Sequence, residues 1–255
     1  YRKEATGGLD EVAVQAVLDA KEAWDEVVKR QAFIVGEIES QGKLTPELKE
    51  RLLATFDLAT LEDLYLPYKK KRKTKAVIAR EAGLQPLADW LWDVGHGQAA
   101  PEPPEAKAAA FLNGEAGFAD APAALQGAVE IVVERLSETE ELRQYVRREA
   151  FERGGVASTK GEEPKPASKY EMYFDFRDSV ASLMKPEASH RYLAMRRGWL
   201  EKELTLSLGD APKHPGFEER LLAEFERAAG AGAATPAQPF LKKAARFALK
   251  AHVLL

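Results

Sequence analysis

A chain of 255 residues, 45% hydrophobic and 31% charged, is long and apolar enough to bury a real core, which argues against disorder along its length. Its net charge of −4 excludes a wholesale basic nucleic-acid binder but leaves room for a local basic patch. The lack of cysteine excludes disulfides, zinc–thiolate sites, iron–sulfur clusters and cysteine nucleophiles.

The first element in chain order is one long helix from Leu9 to Gln41. Val14, Val17, Val28, Ile34, Val35 and Ile38 recur at helical period, with Trp24 between them, and Gly7-Gly8 and Gly42 bound the segment. Thr45-Pro46 opens a helix to about Thr55, and Thr60 is placed to cap a short one over Leu61 to Leu66. Thr74 caps Lys75 to Ala82 before Gly83, and Pro86 opens a helix carrying Leu87, Trp90 and Leu91. Residues 95–104 (GHGQAAPEPP) read as a linker. After it, Glu105 to Leu112 forms a short helix. Asp120 caps an amphipathic one bearing Leu125, Val129, Val132, Val133 and Leu136. Ser137 and Glu140 make a capping box for a helix that ends at Gly154-Gly155.

Strand signals are confined to two stretches. Val156 to Thr159 is one, and Trp199 to Leu208, alternating with period two, is the other. Between them, Gly161 to Ala167 is a loop, Tyr170, Tyr173, Phe174 and Phe176 form an aromatic cluster on a helix, and Ser189 caps a helix through Arg197. Pro215 to Ala229 is helical, Gly230 to Pro236 a linker, and Ala237 to Leu255 helical again. The expected fold is therefore predominantly all-α. It is an elongated multihelical region with helix-turn-helix-like elements and a small two-stranded β element. The expected divisions are residues 1–94, with the long helix and a helix-turn-helix-like lobe, residues 105–229, with the β element, and residues 237–255, the start of a helix leading onward. No signal peptide or membrane-spanning run is present, so the cytoplasm is the expected location. A start at Tyr1 and an end at Leu255 within an amphipathic pattern suggest a piece of a longer protein.

The search for chemistry turns up little. Gly36…Gly42-Lys43 has the wrong spacing for a phosphate-binding loop, Leu44 stands where a hydroxyl is needed, and the glycines end a helix rather than begin one. His96, His190, His214 and His252 are scattered. Glu171, Asp175 and Asp178 could share a helix face, most simply as a solvated acidic one. No catalytic residue, metal site or cofactor is expected, and neither hydrolase nor nuclease activity. The sharpest feature is basic. Lys69, Lys70, Lys71, Arg72, Lys73 and Lys75 fall within seven residues, just after Tyr65 and Tyr68. Such a cluster displaces counterions from phosphates, and neighbouring aromatics can stack on bases. The bland alternative is a solvated run, or one paired with the protein's own acids, with Tyr65 in the core. Two weaker patches follow: Arg191, Arg196 and Arg197 beside His190, and a stripe of Lys242, Lys243, Arg246 and Lys250. Leu44 to Leu66 has a helix-turn-helix order, but Glu62 and Asp63 on its second helix would repel a phosphate backbone.

Three stretches together resemble one family. They are YRKEATGGLDE at residues 1–11, LEDLYLPYKKKRKTKAVIAREAGLQPLAD at residues 61–89, and SHRYLAMRRGWLEKELTLSL at residues 189–208. All three are similar to stretches of the Tex family of bacterial transcription-accessory proteins, and the second is its most specific signature. The resemblance implies a cytoplasmic, multidomain protein related to a eukaryotic transcription-elongation factor. Its parts would be a helical N-terminal region, an RNase H-like domain, helix-hairpin-helix elements and a C-terminal OB-fold that binds RNA. By this comparison the present chain is the helical N-terminal region, without the RNase H-like and OB-fold domains. Where the family usually has Lys-Pro-Lys-Arg, this chain has Lys69-Lys70-Lys71-Arg72, and the missing proline should loosen the loop. Two functions remain in view. One is a transcription accessory factor with weak, nonspecific contacts to RNA or DNA. The other is a protein-interaction scaffold that positions the RNA-binding domains on the transcription machinery.

Overall fold

The computed structural model describes residue 4 and residues 7–70 and 73–254. It is predominantly helical and divides into two compact units, residues 1–71 and 72–255.

The first unit is built on α1 (Glu11–Ser40). Asp10 caps it, accepting the Ala13 N–H at 2.8 Å, and Gly42 follows its end. Two shorter helices, α2 (Pro46–Ala54) and α3 (Leu58–Tyr65), pack against its C-terminal half. Thr45 caps α2 as expected. The cap of α3 is Asp57, not Thr60. Its carboxylate takes both the Thr60 N–H and the Thr60 hydroxyl, so the helix begins three residues earlier than the hydroxyl alone suggested. The core is Val27, Ile34, Ile38, Leu52, Leu61, Leu64 and Tyr65. Val12, Val17, Trp24 and Val28, on the same helical pattern, remain exposed among the described residues, because α2 and α3 reach only the far half of α1. Gln31 is buried in this core. Its amide donates to the carbonyls of Leu52 (3.1 Å), Leu53 (3.2 Å) and Thr55 (2.7 Å), where α2 ends. Gln31→Ala should therefore destabilise the first unit by about 1–3 kcal/mol, since buried carbonyls lose their donor. Urea unfolding of the variant checks this, and an unchanged midpoint would mean that water replaces the amide.

The second unit centres on α7 (Ala121–Ser137), apolar nearly all round and surrounded accordingly. Packed on it are α4 (Lys75–Glu81), α5 (Gln85–Gly95), α6 (Pro104–Ala108) and α12 (Gln238–Ala248). Next to these lie α8 (Glu140–Arg153) and α11 (Phe217–Ala228). Thr74 and Asp120 cap α4 and α7 as expected. The capping box at Ser137 is not formed. Ser137 is still helical, its hydroxyl donating to Glu134 O, and α8 starts after Thr139 without a side-chain cap bond. The α12 helix ends at Ala248 and passes into a wider turn over Leu249–Val253, while Leu255 lies outside the described residues.

The small β element has three strands, not two. β1 (Gly154–Lys160) lies between β2 (Asp175–Ser179) and β3 (Leu204–Asp210), antiparallel to both, with Val156 opposite Asp178 on one side and Leu208 on the other. The β2 strand was missed because DFRDS carries almost no strand signal, and β1 recruits it by satisfying its backbone. The aromatic cluster is thus not helical. Tyr173 sits in a single 3₁₀ turn and Phe176 in β2, their rings edge to face at 5.4 Å. Trp199 and Leu200 are not strand either, since they close α10 (Ser189–Leu200), in which Ser189 is the first helical residue rather than a cap. Between β2 and α10, the single-turn helix α9 (Val180–Leu183) follows directly. Tyr170, Tyr173, Leu183, Met195 and Leu204 form the core of this lobe.

The contacts divide the chain near residue 71 rather than at residues 95–104. Gly95 lies against the backbone of Ala229 and Gly230 and the side chain of Leu241, so the stretch read as a linker starts inside the packing of the second unit. No helix among the described residues is long and apolar enough to cross a membrane.

Candidate nucleic-acid interface

The basic run begins where α3 gives way to a 3₁₀ turn over Leu66–Tyr68. Lys69 N–H is held by Tyr65 O at 3.1 Å, and the Gln41 amide donates to Tyr68 O at 2.9 Å, so the end of this turn is tied to the first unit. Lys69 and Lys70 are exposed. Lys70 stands 3.7 Å from Glu37, with the lysine side chain 81% exposed. Such a pair contributes little and leaves most of the charge available to an incoming anion. Lys71 and Arg72 lie outside the described residues. Lys73 stands 3.7 Å from Glu81 and is likewise exposed, and Lys75 is the first residue of α4. The start of α4 is pinned by its own core: Thr74 accepts the Val77 N–H at 3.1 Å, and Arg80 pairs with the nearly buried Glu134 of α7.

The aromatics beside the run do not serve it. Tyr65 is buried, with Phe33 edge-on at 6.2 Å and the Arg30 guanidinium over its ring at 5.5 Å. Glu62 hydrogen-bonds that guanidinium and raises its pKa further above an already high ordinary value. Tyr68 is half-buried against the core of the first unit.

The second patch is organised by α10. Arg191 is 3.7 Å from Asp178, whose other contacts are Ser182 Oγ and the Ser179 N–H. Arg196 and Arg197 are exposed, with no ion pair recorded among the described residues. One face of the helix is anchored by Met195 and by Gly198, where a Cβ would stand 2.5 Å from Leu204 Cδ1 and 3.1 Å from the Tyr170 ring. Tyr192 and Trp199, three and four residues from Met195, flank this buried strip and stay about half exposed, while Leu193, Arg196 and Leu200 face further round to solvent. The period-two reading hid this group by assigning Trp199 to a strand. The signal that could have found it is the absence of any carboxylate between Ser189 and Leu200.

The α12 stripe is mostly committed elsewhere. Lys250 pairs with Glu218 at 2.6 Å and Lys243 binds Gln126 Oε1, which leaves Lys242 and Arg246 exposed. Asp175 and Asp178 lie on a strand at odd spacing, on opposite faces of the sheet, so the shared acidic helix face does not exist. Gly36 is inside α1 and Gly42 at its C-terminus, as the phosphate-loop argument required. No group of three or more His, Asp or Glu among the described residues is placed to hold a metal.

A family model described as Tex central region-like matches residues 100–255. Protein YhgF of Escherichia coli (strain K12) is 41% identical over 218 residues, which cover 84% of this chain and 26% of that protein. The transcriptional accessory protein Tex of Neisseria gonorrhoeae is 38% identical over 229 residues, 89% of this chain and 28% of that protein. Protein tex of Bordetella pertussis (strain Tohama I / ATCC BAA-589 / NCTC 13251) is 42% identical over 212 residues, 82% and 25% respectively. The chain thus spans about a quarter of the length of these relatives. The match over residues 100–255 and these identities lead to one conclusion: the chain belongs to the Tex family.

Proposed function

We propose that this chain is a non-enzymatic, nucleic-acid-associated region of a cytoplasmic transcription accessory protein, touching phosphates through the run Lys69 to Lys75. The observation that carries this is exposed charge. Lys69, Lys70 and Lys73 stand out from a chain of net charge −4, and the carboxylates nearest Lys70 and Lys73, of Glu37 and Glu81, are each 3.7 Å away. The name of the gonococcal relative supports the transcriptional setting. The buried position of Tyr65 removes stacking from this loop, so the contact is nonspecific and does not favour RNA over DNA.

The test is a salt titration of the chain against unrelated RNA and DNA oligonucleotides. If about four of the six charges reach phosphates, log affinity falls against log salt with a slope of roughly −3 to −4. Between ~50 and ~200 mM salt this means a loss of roughly 60- to 250-fold, starting from micromolar affinity or weaker. Replacing Lys70, Lys71 and Arg72 with glutamate should weaken every sequence about equally and flatten the slope, while thermal stability barely changes. Should that triple variant bind like the wild type, the run is not the contact. The chain would then act as a protein-interaction scaffold for the remainder of the family architecture.

A further inference from the structure

We infer that the exposed flank of α10 beside Met195 is a binding surface for single-stranded nucleic acid, with Tyr192 and Trp199 stacking on bases and Arg196 meeting the phosphate between them. This rests on the reading that the chain meets nucleic acid, and adds a second site of different chemistry. Tyr192 and Trp199 are seven residues apart, two helical turns or about 10 Å along the axis. Arg196 is four residues from one and three from the other, so it lies between them on the same side. The helix carries His190, Arg191, Arg196 and Arg197 and no carboxylate, in a chain that is acidic overall. Its first downstream acid, Glu201, is already engaged. Lys169 and the Tyr170 hydroxyl bind it and hold it below the usual carboxylate range, so its charge is neutralised locally.

The tryptophans sharpen the point. Trp24 stacks on Phe56 at 4.7 Å, Trp90 lies under Lys107, and Trp92 stacks on His96 and carries Arg135. Trp199 is 51% exposed and has no ring or cation contact recorded among the described residues. An indole and a phenol held open beside a guanidinium suit bases that are already unstacked, because every base offers a π-face and none is available inside a duplex. Trp, Tyr and Arg are also favoured at protein interfaces, so an acidic protein partner is the competing outcome.

The experiment is fluorescence anisotropy of the chain with a labelled ~20-nucleotide oligouridylate and with a mixed-sequence duplex, at ~50 mM salt. Trp199→Ala should weaken oligouridylate binding by about tenfold and leave duplex binding unchanged, whereas Trp199→Phe keeps most of the affinity. Arg196→Gln should reduce the magnitude of the salt slope by about one. Both positions are exposed, and circular-dichroism melts of the variants should match the wild type. If Trp199→Ala alone melts early, the Trp199→Phe and Arg196→Gln results decide the matter. The proposal is overturned if Trp199→Ala binds oligouridylate like the wild type, or loses duplex binding equally. It is also overturned if poly-L-glutamate binds as tightly as oligouridylate and with the same dependence on Trp199, which would mark an acidic-protein surface. The glutamate triple variant separates the two sites. If it abolishes binding while Trp199→Ala does nothing, this face fails and the loop reading stands; the reverse result sinks the loop reading alone. A wild-type chain that binds neither probe ends both.

Discussion

Replacing Gly230 with alanine should destabilise the second unit by roughly 3 kcal/mol or more, a large share of the stability of an ordinary domain. Gly230 follows the last turn of α11 with φ +72°. Its N–H bonds to Arg227 O at 3.1 Å, and the next N–H, of Ala231, to Glu226 O at 2.9 Å, closing the helix with the paired bonds of a left-handed cap. An L side chain is strained in that conformation wherever it occurs. Here it also has nowhere to go, because a Cβ would stand 2.7 Å from the Gly95 carbonyl carbon and 2.9 Å from His96 Nδ1. The two costs add, since neither backbone can retreat without moving α5 or α11. Denaturant unfolding measures the loss. A variant within ~0.5 kcal/mol of the wild type, the usual scatter of harmless surface changes, would mean that this contact is loose.

Phe225→Ala should cost about 3–5 kcal/mol, the range for an aromatic side chain deleted from a packed core. Phe225 is fully buried on α11, in the same cluster as Leu221, Phe217 and the inner face of α12. The loss combines the transfer of the ring to water with a cavity that rigid helices on several sides cannot close. Phe247→Ala is the internal control: that ring is 44% exposed and should cost well under half as much. Equal losses for the two would contradict the burial pattern, and the same unfolding series reads both.

Much of the helical plan was legible because its signals are local. Thr45, Thr74 and Asp120 each cap a helix through a bond to an N–H three residues on, and this geometry depends on almost nothing distant. The apolar run around Val129, Val132 and Leu136 likewise announced α7. Asp57 took the cap expected of Thr60 through equally local bonds, whereas distant packing kept Trp199 helical, because Gly198 seats α10 on Leu204. The β2 strand had almost no signal of its own, since its residues extend only because β1 lies beside them.

The candidate sites divide the same way. Charge density at Lys69 to Lys75 is a property of consecutive residues, and it could be read directly, as could the three arginines of α10. Whether an aromatic beside such a run is a stacking platform or a core residue depends on what packs against it, and here only the tertiary structure decided. Tyr65 turned inward against Phe33 and Arg30, whereas Tyr192 and Trp199 stay about half exposed at the edge of the strip that Met195 and Gly198 bury. Helix formation, capping and charge are settled over a few residues of chain. Strand partnership, burial of a given ring and the close approach of Gly95 to Gly230 depend on residues far apart in sequence, and only packing brings those together.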